Sequence, residues 1–215
     1  MKCLAAHGGG RYDKAAYTFE FRGNTYQFKN NDSSYEYMAY KTAKDGTAYT
    51  DVLDNGDFSR TTAGKEVELT EKQRTGLSNS LNSVIYFATL PHKLLDPAVN
   101  LTYRGSTTIK GQAYDVLQVT FDQEGGGQDH DDTYHYWINQ STDRIDYLAY
   151  NYRVNGGGAR FRVAYNTRIV DGIVFQDYSN YKAPFETPLA DLPALYESGD
   201  LKLLSEIKTE NVRSL

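Results

Sequence analysis

Tyr17-Thr18-Phe19-Glu20-Phe21-Arg22-Gly23-Asn24-Thr25-Tyr26-Gln27-Phe28 decides the fold class. Tyr17, Phe19 and Phe21 alternate with Thr18, Glu20 and Arg22, and Tyr26 and Phe28 resume the alternation beyond Gly23-Asn24. Side chains of a strand point to opposite faces in turn, so period-two alternation on both sides of a turn signal is a β-hairpin. Working outward, Tyr35 to Lys41, Tyr49 to Leu53 and Phe58 to Thr61 read as further short strands, cut by Asp45-Gly46 and Asn55-Gly56. Strands separated by turns at this spacing form an antiparallel meander.

The period then changes. Thr70 with Gln73 three residues on is a capping box, and Leu77, Leu81, Val84, Ile85 and Ala88 recur at helical spacing. A helix is expected from Glu71 to Phe87, ended by Pro91. Strands return at Val99 to Gly105, Tyr114 to Asp122, Thr133 to Asn139, Arg144 to Val154, Arg160 to Arg168 and Gly172 to Tyr181. Leu201 to Ile207 reads as a short helix. The expected architecture is mainly β: a large curled antiparallel sheet, or half-open β-barrel, with one or two helices on its concave face. A single domain is expected over residues 1–215, with residues 185–215 as a C-terminal extension carrying the short helix.

Composition narrows the function. The net charge of −5 argues against a nucleic-acid partner. Among the aromatics, 19 are Tyr against 9 Phe and 1 Trp, so most rings carry a hydroxyl. A tyrosine buries its ring and keeps a polar tip, which suits a wet sheet face or the lining of a cavity. Cys3 is the one cysteine and has no partner for a disulfide; it is expected at a frayed end. Met1-Lys2-Cys3-Leu4 is too short for a signal peptide, so export or membrane association would need a leader absent from this chain.

Two polar clusters stand out. Asp129, His130, Asp132 and His135 offer carboxylates and imidazoles after a run of glycines. Solvation of an acidic loop explains them as well, and the calcium-loop pattern is missing. Arg160 and Arg162 flank Phe161 and share one strand face, suiting a carboxylate, a phosphate, or a structural partner such as Glu20 or Asp146. His7 precedes a glycine run, and His92 follows Pro91 as a turn residue. The Gly-Gly-Gly runs lack the lysine and the strand–helix setting of a phosphate loop, and no nucleophile elbow occurs. No catalytic residue, metal or cofactor is assigned on this basis.

Longer strings carry a resemblance: His7-Gly8-Gly9, Asn82-Ser83-Val84-Ile85-Tyr86-Phe87-Ala88, Asp96-Pro97-Ala98-Val99-Asn100, Tyr136-Trp137-Ile138-Asn139, Asp146-Tyr147-Leu148-Ala149-Tyr150 and Gly157-Gly158-Ala159-Arg160-Phe161-Arg162. They resemble an uncharacterised family of exported bacterial proteins, often lipoproteins. The resemblance implies the lipoprotein-carrier (LolA- and LppX-like) superfold, a half-open barrel whose helices fill its mouth and whose concave face holds acyl chains. On that reading Leu81, Ile85, Phe87, Tyr147, Tyr150, Phe161 and Phe175 line a ligand cavity. The expected protein is a noncatalytic, monomeric scaffold, periplasmic or associated with the outer membrane, for a lipid, acyl chain or other hydrophobic small molecule. Two alternatives compete with it. One is an enzyme acting on a polar substrate through His7, Asp129, His130, Asp132, His135, Arg160 and Arg162; the other is a cell-envelope adaptor.

Overall fold

A computed structural model describes residues 2–123, 132–153 and 156–215. The fold is mainly β and antiparallel with a few helices, as expected, but its strands are shared between two seven-stranded sheets. Among the described residues neither sheet closes on itself. The chain forms two compact units, one of Met1–His7, Lys93–Thr167 and Gln176–Ile207, the other of Gly8–His92, Arg168–Phe175 and Lys208–Leu215. Each unit takes three separate stretches, so no single cut leaves either whole.

The unit containing Gly8–His92 holds the hairpin that opened the sequence reading. Its strands are β1 (Ala16–Phe21), β2 (Asn24–Asn31), β3 (Ser34–Thr42), β4 (Ala48–Asp54), β5 (Asp57–Thr62) and β6 (Lys65–Glu66), with β14 (Glu210–Ser214) paired to β1. Tyr17 lies opposite Phe28, and Phe19 opposite Tyr26, so the alternation puts all four rings on one face. That face is the core: Phe28, Tyr37 and Ala39 are buried there with Leu53 and Phe58. The helix α2 (Glu71–Ala88) contributes Leu81 and Ile85, both fully buried. Thr70 and Gln73 form the expected capping box. His92 lies in a 3-10 turn, His92–Leu95, and stacks on Tyr12 with ring centroids 5.0 Å apart.

One charge enters this core face. Asp51 is wholly buried and takes a two-pronged bond from Arg60 (2.6 and 2.8 Å), with the Lys41 ammonium at 3.1 Å. A buried carboxylate needs such compensation.

In the other unit the sheet runs β13 (Lys202–Ile207), β12 (Ile173–Ala183), β11 (Gly158–Val170), β10 (Ile145–Tyr152), β9 (Tyr134–Asn139), β8 (Gln112–Phe121), β7 (Val99–Ile109). The first residues of β12 and the last of β11 belong to the unit described above. Here alternation in burial disappears: Tyr134, His135, Tyr136 and Trp137 are all buried in succession. A strand buried on both sides loses its polar face.

Two terminal expectations change. Residues 201–207 show apolar spacing compatible with a helix, yet Lys202–Ile207 is the strand β13, which gains ladder hydrogen bonds by pairing with β12 (Ser179 opposite Glu206). The helix of the tail is α3 (Leu192–Ser198), with Pro193 in its first turn and Gly199 ending it in the left-handed conformation. Cys3 does not sit at a frayed end. Residues Lys2–His7 form α1, with Cys3 and His7 buried. Burial, and then the charge of Asp143, push the Cys3 thiol up to about 12, so it is held protonated.

Candidate functional site

The strands β9, β10 and β11 give the second sheet two chemically different faces. Register fixes which residues share each. Trp137 lies opposite Tyr147, Tyr147 opposite Val163, and Ala149 between His135 and Phe161. This first face is packed by Leu189, Leu192 and Tyr196 from α3 and the turn before it. Phe161 stacks on Tyr147 at 5.6 Å and meets Trp137 edge-on at 5.6 Å, while Tyr196 closes over Phe161 at 5.5 Å. The lid is tied at its far end, where the Lys110 ammonium donates to the Tyr196 hydroxyl at 3.0 Å.

The opposite face is polar and aromatic. Tyr134, Tyr150 and Arg160 lie side by side across three strands, and Tyr136, Leu148 and Arg162 form the next row. Tyr134 and Tyr150 stack at 5.1 Å. The Arg160 Nη2 donates to the Tyr152 hydroxyl at 2.5 Å, and its guanidinium lies 4.7 Å from that ring's centre. Likewise Arg162 Nη2 donates to the Tyr150 hydroxyl at 2.9 Å and lies 5.2 Å from its ring. Cation–π contact explains why tyrosine stands here. Arg162 is buried, whereas Arg160, Tyr150 and Tyr152 are half-buried.

The second glycine run has a packing role. Gly158 lies opposite Tyr152, and a Cβ there would come within 2.6 Å of the Tyr152 hydroxyl oxygen. A Cβ on Gly157, whose φ is +71°, would come within 2.9 Å of the Phe185 ring. The missing side chains let two aromatic rings lie against the backbone, and one of them then meets Arg160.

The polar residues picked from the sequence divide between these faces. His135 is on the α3 face, against Trp137 at 5.9 Å, and the arginines are on the other. Its Nδ1 has no hydrogen-bond partner. Burial, with help from Arg104, lowers its pKa and keeps it neutral. His7 accepts from the Ile145 backbone N–H through Nε2 at 3.1 Å, and its buried Nδ1 has no partner. Burial, then the Arg144 charge, lowers its pKa to about 4. Asp132 is buried just before β9, while Asp129 and His130 lie outside the described residues. The carboxylate suggested for the arginines, Asp146, instead accepts from Asn139 Nδ2 at 2.8 Å and the Tyr114 hydroxyl at 3.1 Å. Among the described residues no cluster of three metal-ligating side chains occurs.

The residues picked as a ligand lining also separate. Leu81, Ile85 and Phe175 belong to the core of the unit containing α2, and Tyr147 and Phe161 to the core under α3. Phe87 is half-buried beside Tyr86, and Tyr150 faces the arginines. Tyr134 and Tyr152, which share the face of the arginines, were not among the residues picked. The alternation of Tyr150-Asn151-Tyr152 with the arginines two strand positions apart carried the signal for Tyr152.

The model of a family of unknown function (DUF6503) matches residues 11–209. No curated protein matches the chain. A LolA superfamily protein from Nitrosomonas europaea superposes with a TM-score of 0.52 at 9% identity, covering 99% of this chain and 91% of that one. A putative outer membrane lipoprotein-sorting protein domain from Vibrio parahaemolyticus gives 0.48 at 9% identity, over 93% and 83%. The lipoprotein LppX from Mycobacterium tuberculosis gives 0.30 at 14% identity, over 74% and 87%. The fold is LolA-like.

Proposed function

We propose that this chain, which belongs to the DUF6503 family of unknown function, is a noncatalytic binding protein of the bacterial cell envelope, a scaffold for a lipid, a lipoprotein acyl chain or another hydrophobic ligand. One observation carries the reading: a LolA-like fold over nearly the full chain, whose sheet faces are lined with stacked aromatic rings. A fold hosts many functions, so the lining matters more than the likeness. Rings such as Tyr150 and Tyr152 offer apolar faces with polar tips, which fits an amphiphile. The separation of His135 from Arg160 across the sheet gives no support to a shared catalytic cluster.

The test is direct. Purified protein is extracted with organic solvent for mass spectrometry, and the delipidated chain is titrated with a fluorescent fatty acid. A co-purifying amphiphile with saturable uptake is expected. An empty extract together with no uptake would sink the proposal. Fractionation of the native gene product should place it in the periplasm or with the outer membrane.

A second reading has its own observation. Among the described residues β7 is an edge strand, and it exposes Leu101 and Tyr103, the latter 63% accessible, which suits strand addition by a partner protein. A photo-crosslinker at Tyr103 tests it: a discrete adduct in cells supports the adaptor role, and none counts against it.

A further inference from the structure

We infer that Arg160 is the headgroup contact for an anionic single-chain amphiphile, a long-chain carboxylate or phosphate monoester whose alkyl chain lies on the half-buried Tyr150 and Tyr152 rings. The inference rests on the hydrophobic-ligand reading above and specifies the charge of the ligand.

The argument starts from donors. A guanidinium carries five N–H groups and no acceptor. Arg160 gives one to the Ala159 carbonyl at 3.1 Å and one to the Tyr152 hydroxyl at 2.5 Å. Three remain, and no described carboxylate lies within ion-pair distance of it. The same protein treats a structural arginine differently. Arg60, on the core face of the other sheet, is matched prong for prong by Asp51. Arg160 sits half-buried among neutral rings, with Arg162 two residues along the same face. A positive charge in a partly desolvated aromatic setting favours an incoming anion. The planar fork of arginine matches a carboxylate or phosphate in shape as well as in charge.

The surroundings specify the rest of the molecule. Tyr150 and Tyr152 are half-buried and flank the guanidinium, and the buried Tyr134 backs Tyr150 by stacking on it at 5.1 Å. Ring faces of this kind give an alkyl chain contact area beside the charge. Gly158 keeps Tyr152 in place by leaving room for its ring.

The full chain is loaded with N-phenyl-1-naphthylamine, a neutral apolar dye, and the dye is displaced at neutral pH by dodecanoate, dodecyl phosphate or dodecanol. Both anions are expected to displace it at roughly tenfold lower concentration than the alcohol, the size of one charge-assisted hydrogen bond. Arg160→Gln should reduce their potency to that of dodecanol, Arg160→Lys should keep part of the preference, and Arg22→Gln, an exposed cation of the other unit, should keep all of it. Equal potency of the three ligands on the unaltered protein overturns the headgroup assignment and leaves the hydrophobic-ligand reading standing. Failure of the dye and of all three ligands to bind overturns both. Inorganic phosphate binding as tightly as dodecyl phosphate in calorimetry overturns the amphiphile in favour of a free-anion site. If Arg160→Gln melts early, the comparison of headgroups on the unaltered chain and on Arg160→Lys decides.

Discussion

The two sheets have the same number of strands and different habits of burial. In the sheet built on the opening hairpin, Tyr26 and Phe28 are buried while Lys29 between strand and solvent is exposed. In the sheet built on β9, four successive residues are buried. A sheet with one covered face can send every polar side chain outward; a sheet covered on both cannot. The buried polar residues follow that division. His7, Asp132, His135, Asn139, Arg162, Gln176, Asp177 and Asn180 all belong to the unit of the two-faced sheet. The other unit buries Thr18, Asp51, Thr89 and Thr209. Buried polar groups are costly unless satisfied, so the two-faced sheet is where function has room to explain the cost.

The largest expected effect tests whether the second face is truly packed. Leu148 is wholly buried beside the arginines. Leu148→Ala should therefore cost about 2–5 kcal/mol in denaturant unfolding. Lys29→Ala, on the outward face of the one-faced sheet and paired only with exposed Glu36, should cost under about 1 kcal/mol. Similar losses for the two would break the comparison.

The next effect comes from His7. Its folded pKa of about 4 lies below the usual 6.5 of the unfolded chain. Between those values the unfolded state binds the extra proton, so stability is full above about pH 6.5 and falls as pH drops toward 4. The window is worth about 3 kcal/mol. His135, lowered in the same direction, adds to the slope. Melting temperature followed from pH 7.5 to 4.5 should show the loss, and His7→Gln should flatten it. A slope unchanged in His7→Gln would assign acid sensitivity elsewhere.

The smallest effect belongs to the one-faced sheet. Thr70→Ala removes the cap of α2, the helix that covers the core face. Chemical denaturation should show a loss of about 1 kcal/mol. A much larger loss would mean that α2 contributes more to this unit than its packing of Leu81 and Ile85.

Much of this was legible in the sequence. The hairpin at Tyr17–Phe28, the capped helix after Thr70 and the order of the later strands follow from period and turn chemistry, which are local. The placement of Arg160 and Arg162 on one face, with Phe161 on the other, follows from the pleat. What was hidden is non-local. Leu201 to Ile207 has apolar residues at helical spacing, and only pairing with β12 makes it a strand. The Arg–Tyr contacts depend on which strand neighbours β11, which no local pattern encodes. The split of the presumed lining between two cores likewise depends on strand order. His7 looked terminal in the sequence, yet its imidazole accepts a hydrogen bond from the Ile145 backbone N–H.

The pairing of β14 with β1 has a consequence for synthesis. Tyr17 lies opposite Ser214, so one side of β1 has no strand partner until β14 has been made. At about 5–20 residues per second a ribosome needs on the order of ten to forty seconds to supply it. During that interval the nascent chain presents an open strand edge beside aromatic residues, the kind of surface that pairs with other chains. The five-residue strand β14 therefore completes the sheet late, and the timing of its arrival sets how long the growing chain is open to misassembly.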